Sequence, residues 1–241
     1  MPNDVSQAQF DEICRMYSDI RLGRGSLKVD FSSLLKGENG EKAEATARGG
    51  AMKDLSRMLQ TEAGRGLVRE LLYNKHETVI KAFHQDANGN GDRDDDDGAP
   101  LDWSNAQAIA RHYQSAFTCG KGTGSDVHYN PGMVVAGSRS DITLMHEMRH
   151  ALDETRGSMD SRLVAEIDGV SADVGLSRYE HQATGLGVYA NSEYTENAYR
   201  AERMRMGKGG ARGVVRNYDV TVDALLDLRR TYRHQHSSPD H

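Results

Sequence analysis

The sequence has few cysteines, no excess of positive charge and no long apolar run, and each absence excludes a class of protein. Cys14 and Cys119 are the two cysteines in 241 residues, so we expect no disulfide framework and a reducing compartment. The formal charge of −6 lacks the basic excess that nucleic-acid binding needs. No apolar run reaches the length of a membrane span, and the N-terminus lacks the basic and then apolar segments of a secretory signal.

The chain of 241 residues is long enough to bury one sizeable core, and its composition divides it into three regions. Residues 1–50 begin with an amphipathic stretch and end in the polar segment 35–50, which we expect to be a flexible connection. A secretion signal is compatible with this N-terminal region. Residues 51–232 are the predicted folded domain, and residues 233–241 are the predicted solvated tail.

The periodicity within the predicted domain indicates its fold class. Segments 52–60 and 64–72 have a helical pattern, with a break expected near Gly64. Segments 77–85 and 125–135 have the pattern of strands, and from residue 141 onward the pattern is helical. A few strands followed by a run of helices predict an α+β fold.

Segment 140–157 carries two histidines four residues apart, with a glutamate after the first. Ser140 or Asp141 is a suitable N-cap, and Gly157 stands where a helix would end. At about 100° per residue, the histidines and the glutamate lie together on one face beside a separate apolar stripe. That stripe consists of Leu144, Met145, Met148, Ala151 and Leu152.

This H-E-x-x-H pattern has the spacing of a zinc-peptidase helix. His146 and His150 can direct two ring nitrogens at one zinc ion, and Glu147 then stands beside the attacking water. So short a pattern also arises by chance, but the clean division of the helix faces favours the metal site. A catalytic zinc takes a third protein ligand, and spacing alone does not choose among the downstream candidates Asp168, Asp173, Glu180 and His181.

Six short blocks follow one another along residues 52–218. They are "MLQTEAGRGLVREL", "VHYNP", "HEMRHALD", "EHQATGL", "YTENAYRAE" and "RNY". Their order resembles that of the effector-protein zinc metallopeptidases that bacteria inject into eukaryotic hosts, the NleD-like and HopH- or XopG-like effectors. The resemblance implies a zincin-like α+β metallopeptidase domain with a small sheet, an H-E-x-x-H active-site helix and one catalytic Zn²⁺.

The same resemblance implies roles for individual residues. Glu180 is the implied third zinc ligand with His146 and His150, Glu147 is the catalytic base, and Tyr218 is the implied stabiliser of the oxyanion. The glycine-rich turn before Tyr218 is longer and more basic here than in the family pattern. That departure bears on Tyr218 more than on the zinc ligands.

The resemblance also implies supporting residues and a biological setting. Glu196, Asn197 and Arg200 are expected to brace the site. We expect an endopeptidase that is secreted by a bacterium, acts in the cytosol of a host cell as a monomer and cleaves a host signalling protein such as a kinase. The alternative is a zinc-containing binding protein that sequesters its partner without cleaving it.

A second metal pattern lies in the aspartate-rich loop 86–97. Its aspartate, asparagine and glycine residues follow EF-hand spacing, but Asp97 replaces the expected glutamate, the preceding segment is strand-like and no second loop pairs with it. A solvated loop is therefore favoured over a Ca²⁺ site.

Overall fold

A computed structural model of the chain describes residues 6–36, 39–82, 98–100, 109–110, 117–118, 120–131, 139–160 and 178–207. The helices in these residues are α1 (Gln7–Arg21), α2 (Gly40–Leu59), α3 (Glu62–Leu72), α4 (Ser140–Arg156), α5 (Arg178–Thr184) and α6 (Glu196–Arg205), with short 3-10 helices at Ser32–Lys36 and Gly187–Tyr189. The strands are β1 (Leu27–Asp30), β2 (Thr78–Ala82), β3 (Gly98–Pro100), β4 (Ile109–Ala110), β5 (Phe117–Thr118) and β6 (Ser125–Tyr129). The predicted α+β class is confirmed.

The main sheet has the strand order β1-β2-β6-β3. Strands β1, β2 and β6 are parallel, and β3 pairs with β6 in the antiparallel direction. Both β2 and β6 bury alternate side chains, and Ile80 is in register with Val127. One face of these strands therefore lies against the core. The strands predicted within 77–85 and 125–135 are confirmed at Thr78–Ala82 and Ser125–Tyr129.

Helix α4 packs against the core through its predicted apolar stripe. All five stripe residues are fully buried, and they share one cluster with residues of α2, α3, β2 and β6. Each buried Leu or Met side chain contributes about 1.5–3 kcal/mol. The packing of this stripe therefore fixes the position of α4 independently of any metal.

The expectation of a flexible connection over residues 35–50 is wrong, because residues 40–50 form the first half of α2. Their Ala, Glu, Lys and Arg residues are good helix formers. Arg48 stabilises this half, since its guanidinium donates to Glu44 at 2.5 Å and to the Val29 carbonyl at 3.0 Å. The segment is polar because it is mostly solvated, and polarity alone did not separate a solvated helix from a loop.

The break between α2 and α3 lies at residues 60–61, not near Gly64 as predicted. The Thr61 side chain caps α3 by accepting from the Gly64 amide at 3.0 Å. Gly64 therefore lies within the first turn of α3. A side chain there would bring its Cβ within 2.4 Å of the Met58 carbonyl oxygen. The glycine permits this close approach and does not end the helix.

Several predictions concern residues outside the described part of the chain. These are Tyr218, Asp168, Asp173, loop 86–97 and the tail 233–241, and the interpretations given to them stay predictions. The division into regions 1–50, 51–232 and 233–241 also stays a prediction. Among the described residues, no helix combines the length and the apolar character needed to cross a membrane.

Candidate metal centre

Helix α4 begins with a buried carboxylate in its first turn. The N-cap is Arg139, whose side chain makes no capping bond, so the expectation of a cap at Ser140 or Asp141 is wrong. The Asp141 carboxylate instead accepts hydrogen bonds from the Tyr199 hydroxyl at 2.7 Å and from Arg139 Nε at 3.1 Å. At the other end, Gly157 adopts the left-handed conformation with φ of 66°, which confirms the predicted stop.

The middle of α4 brings two imidazoles together. His146 and His150 are 5% and 6% exposed, and their Nε2 atoms lie 3.0 Å apart. At this distance one ring can donate its N–H hydrogen to the lone pair of the other, or both lone pairs can be directed at one cation. The two Nε2 atoms are therefore close enough together to bind one metal ion.

Glu180, from α5, completes a group of three donors. One of its carboxylate oxygens lies 3.2 Å from His146 Nε2, and the other lies 3.4 Å from His150 Nε2. In a tetrahedral site with bonds of about 2.0–2.1 Å, the ligand atoms are separated by roughly 3.3 Å. The separation of the two Nε2 atoms and that between His146 Nε2 and one Glu180 oxygen are close to this value. With one ligand atom from each residue, all three atoms lie within 4.8 Å of one another, so the residues fit a metal ion with one position left open.

The electrostatics of the group also favour a cation. Burial lowers the pKa of His146, but hydrogen bonds to Glu180 and Glu196 outweigh burial and raise it to about 10. Burial raises the pKa of Glu180, while hydrogen bonds from His146 and His150 outweigh it and hold this pKa well below its usual range. A divalent metal ion would supply the positive charge that a proton supplies in the metal-free protein.

Glu147 is the next residue along α4 and is 9% exposed. The negative charge of its carboxylate contributes to the raised pKa of His146. Within the described part of the chain, the donors gathered as a possible metal group are His146, His150 and Glu180. Glu147 is therefore near the group without belonging to it.

The opposite side of the His146 ring contacts α6. The carboxylate of Glu196 lies 2.8 Å from His146 Nδ1, and Arg200 Nε donates to the same carboxylate at 2.6 Å. Asn197 donates to the Gly185 carbonyl at 3.4 Å, at the turn that follows α5. Glu196 thus contacts a histidine of the group, Arg200 contacts Glu196, and Asn197 contacts the segment after Glu180.

Helix α5 is held near α4 by contacts that the sequence did not indicate. Asp160 accepts from the Tyr189 hydroxyl at 2.7 Å, and its amide donates to Gln182 at 3.2 Å. Gln182 also donates to the Ser158 carbonyl at 3.1 Å. These contacts determine where α5 presents Glu180, but they join residues about 22–30 positions apart with no periodic pattern.

Tyr179 is a further residue of the site that sequence reasoning missed. Its ring meets the ring of His150 at 70°, with 5.0 Å between the centroids. Its position next to Glu180 was the available signal. His181, a third-ligand candidate on the same helix, is not part of the metal group, and its carbonyl accepts from the Gly185 and Leu186 amides.

A comparison with models of known protein families shows which family this chain is similar to. The model of the family Peptidase_M91, described as "Effector protein", matches residues 41–207. The chain matched neither a curated protein nor a solved structure. The matched segment covers more than half of the chain and includes α4, α5 and α6, whereas Tyr218 lies beyond it.

Proposed function

Because the chain belongs to the Peptidase_M91 family of effector proteins, we propose that it is a zincin-like, zinc-dependent endopeptidase that is secreted into a host cell and cleaves a host protein there. The observation that carries this proposal is the meeting of three donors from two helices. His146 and His150 from α4 and Glu180 from α5 place their ligand atoms within 4.8 Å of one another.

The donor set suits zinc. Two imidazole nitrogens and one carboxylate oxygen from His146, His150 and Glu180 are a common protein set for catalytic Zn²⁺, with the fourth position left for water or substrate. When bound, Zn²⁺ polarises the substrate carbonyl and lowers the pKa of the attacking water. The buried apolar face of α4 keeps the two histidines in place before the metal arrives.

Glu147 moves the proton in the proposed reaction. Its carboxylate oxygen accepts a proton from water as the water oxygen bonds to the peptide carbon, and it then donates that proton to the leaving amine nitrogen as the C–N bond breaks. Tyr218 is proposed to donate a hydrogen bond to the oxyanion. That role rests on the resemblance, since Tyr218 lies outside the described residues.

The proposed setting follows the family. An effector protein acts on a host target, and we propose a signalling protein of the cytosol, such as a kinase, as the substrate. The monomeric state expected from the sequence belongs to this proposal.

The test combines metal content with chelator-dependent cleavage. Purified protein should contain one zinc per chain, and the His146→Ala variant should contain none. Candidate kinases incubated with the protein should be cleaved, and a chelator should stop cleavage until zinc is restored. A wild-type protein without stoichiometric zinc would refute the proposal. Zinc binding with retention of a partner that is never cleaved would instead support the sequestering alternative.

A further inference from the structure

We propose that Glu196 and Arg200 form a positioning pair that sets the tautomer and orientation of His146, so that zinc affinity depends on a carboxylate that does not touch the metal. This inference rests on the proposed function, because it concerns how the chain prepares a zinc ligand.

The first step is the side of the ring that each carboxylate contacts. Glu180 lies on the Nε2 side of His146, at 3.2 Å, with His150. Glu196 lies on the Nδ1 side, at 2.8 Å. An ionised carboxylate only accepts hydrogen bonds, so Nδ1 must carry the hydrogen. In a neutral imidazole this leaves the Nε2 lone pair free and directed at the metal group.

The second step is that the Glu196 carboxylate cannot turn freely. One oxygen contacts His146 Nδ1, and the other accepts from Arg200 Nε at 2.6 Å. Glu196 and Arg200 are 1% and 6% exposed, so water cannot readily replace either partner. The Glu196 carboxylate and the Arg200 guanidinium are both charged, and hydrogen bonds between charged groups are short and directional.

The third step is that the pair belongs to a helix already fixed on α4. The Thr195 side chain caps α6 by accepting from the Ala198 amide at 3.2 Å. One turn further on, the Tyr199 hydroxyl donates to Asp141 in the first turn of α4. The distance between Glu196 and His146 is therefore set by the packing of two helices and not by a loop.

The test measures zinc affinity by competition with a chromogenic chelator. Glu196→Gln keeps the shape and one accepting oxygen but removes the charge, and we expect its zinc Kd to rise by about 10- to 100-fold. Arg200→Met should raise Kd less, because the carboxylate remains but is free to turn. The double variant should bind zinc no more weakly than Glu196→Gln alone, since Arg200 acts through Glu196.

Glu202→Gln is the matched control on the same helix. The Glu202 carboxylate accepts from the Glu62 and Ala63 amides at 2.5 and 3.0 Å, at the N-terminus of α3. We expect this control to lower the Tm of the metal-free protein and to leave zinc Kd unchanged, which separates a structural effect from a positioning effect.

The possible results are distinct. An unchanged zinc Kd in Glu196→Gln, a rise no larger than in Glu202→Gln, or independent multiplicative effects in the double variant would each overturn the inference while the proposed function stands. If Glu196→Gln does not fold, Arg200→Met decides the matter, since an unchanged Kd there also contradicts the pair. A wild-type protein that binds no zinc would overturn both proposals.

Discussion

At His146, two carboxylates approach one imidazole from opposite sides. Glu180 lies at Nε2 and Glu196 lies at Nδ1. The two glutamates are on neighbouring helices, but the roles that they can have at His146 differ. A metal on the Nε2 side can use Glu180 as a ligand. Glu196 can only orient the ring.

The residue with the sharpest expected effect is Glu147. In Glu147→Gln the amide cannot accept a proton from water, so we expect zinc content to be unchanged and kcat to fall by about 10²- to 10⁴-fold. Zinc analysis and initial-rate kinetics on a cleaved kinase check both parts. His146→Ala should lose zinc as well as activity, and a fully active Glu147→Gln would exclude the proposed role.

Ionisation of the buried Glu154 carboxyl lowers the stability of the folded protein as pH rises. Burial raises its pKa to about 7, although the Ser125 hydroxyl donates to it at 2.5 Å. Because the folded pKa lies above the unfolded one, near 4.5, the favourable contribution is present below about pH 4.5 and is lost as pH rises through 7. Glu154→Gln avoids the ionised state and should gain stability relative to wild type as pH rises.

The measurement is thermal unfolding of the metal-free protein at pH 5 and pH 8. The gain of Glu154→Gln over wild type should be larger at pH 8 by up to roughly 2–3 kcal/mol. Glu193→Gln on the surface serves as the control. An equal gain at both pH values would show that Glu154 does not ionise in this range.

At the scale of elements, the ends of helices were harder to predict than their middles. The centre of α4 could be predicted because its apolar residues recur with the period of a helix, which is a local property of the sequence. Its start does not, because Asp141 is engaged by Tyr199 from α6 and does not act as a cap. The first half of α2 was missed because helix propensity, and not an apolar stripe, supports it there.

Two glycines in helices provide a matched pair of substitutions. In Gly64→Ala, the new Cβ would meet the Met58 carbonyl oxygen at 2.4 Å, so we expect a loss of about 1–3 kcal/mol in the free energy of unfolding. In Gly49→Ala, nothing lies within 4 Å, so the better helix propensity should stabilise the protein by up to about 1 kcal/mol. Denaturant unfolding of both variants tests this, and effects of the same sign would contradict it.

At the scale of the whole molecule, the core and the proposed metal group are largely independent. The apolar face of α4 packs into a cluster that joins α2, α3, β2 and β6, whereas its polar face carries His146 and His150. Metal removal should therefore leave the fold intact, unlike in small domains that unfold without zinc.

This independence predicts the response to chelation. The metal-free protein should keep its helical circular dichroism spectrum, and free zinc at 100 times Kd should stabilise it by about 2.7 kcal/mol. His150→Ala should fold with a similar spectrum but lose the zinc-dependent rise in Tm. Complete loss of helical signal on chelation would mean that the core needs the metal.

The sequence by itself determined that His146, Glu147 and His150 share one stretch of a helix beside an apolar stripe. Spacing of four residues and a period of 3.6 are local properties, and they do not depend on the rest of the fold. The sequence also limited the third donor to a few downstream candidates.

Only the tertiary structure decided which side chain reaches which ring nitrogen. Glu180 and His181 are adjacent in sequence, yet only Glu180 lies within 3.5 Å of both Nε2 atoms. Glu196 reaches Nδ1 of His146 because α6 packs across α4. Such distances depend on how helices far apart in the chain pack together, and residue spacing carries no direct record of that packing.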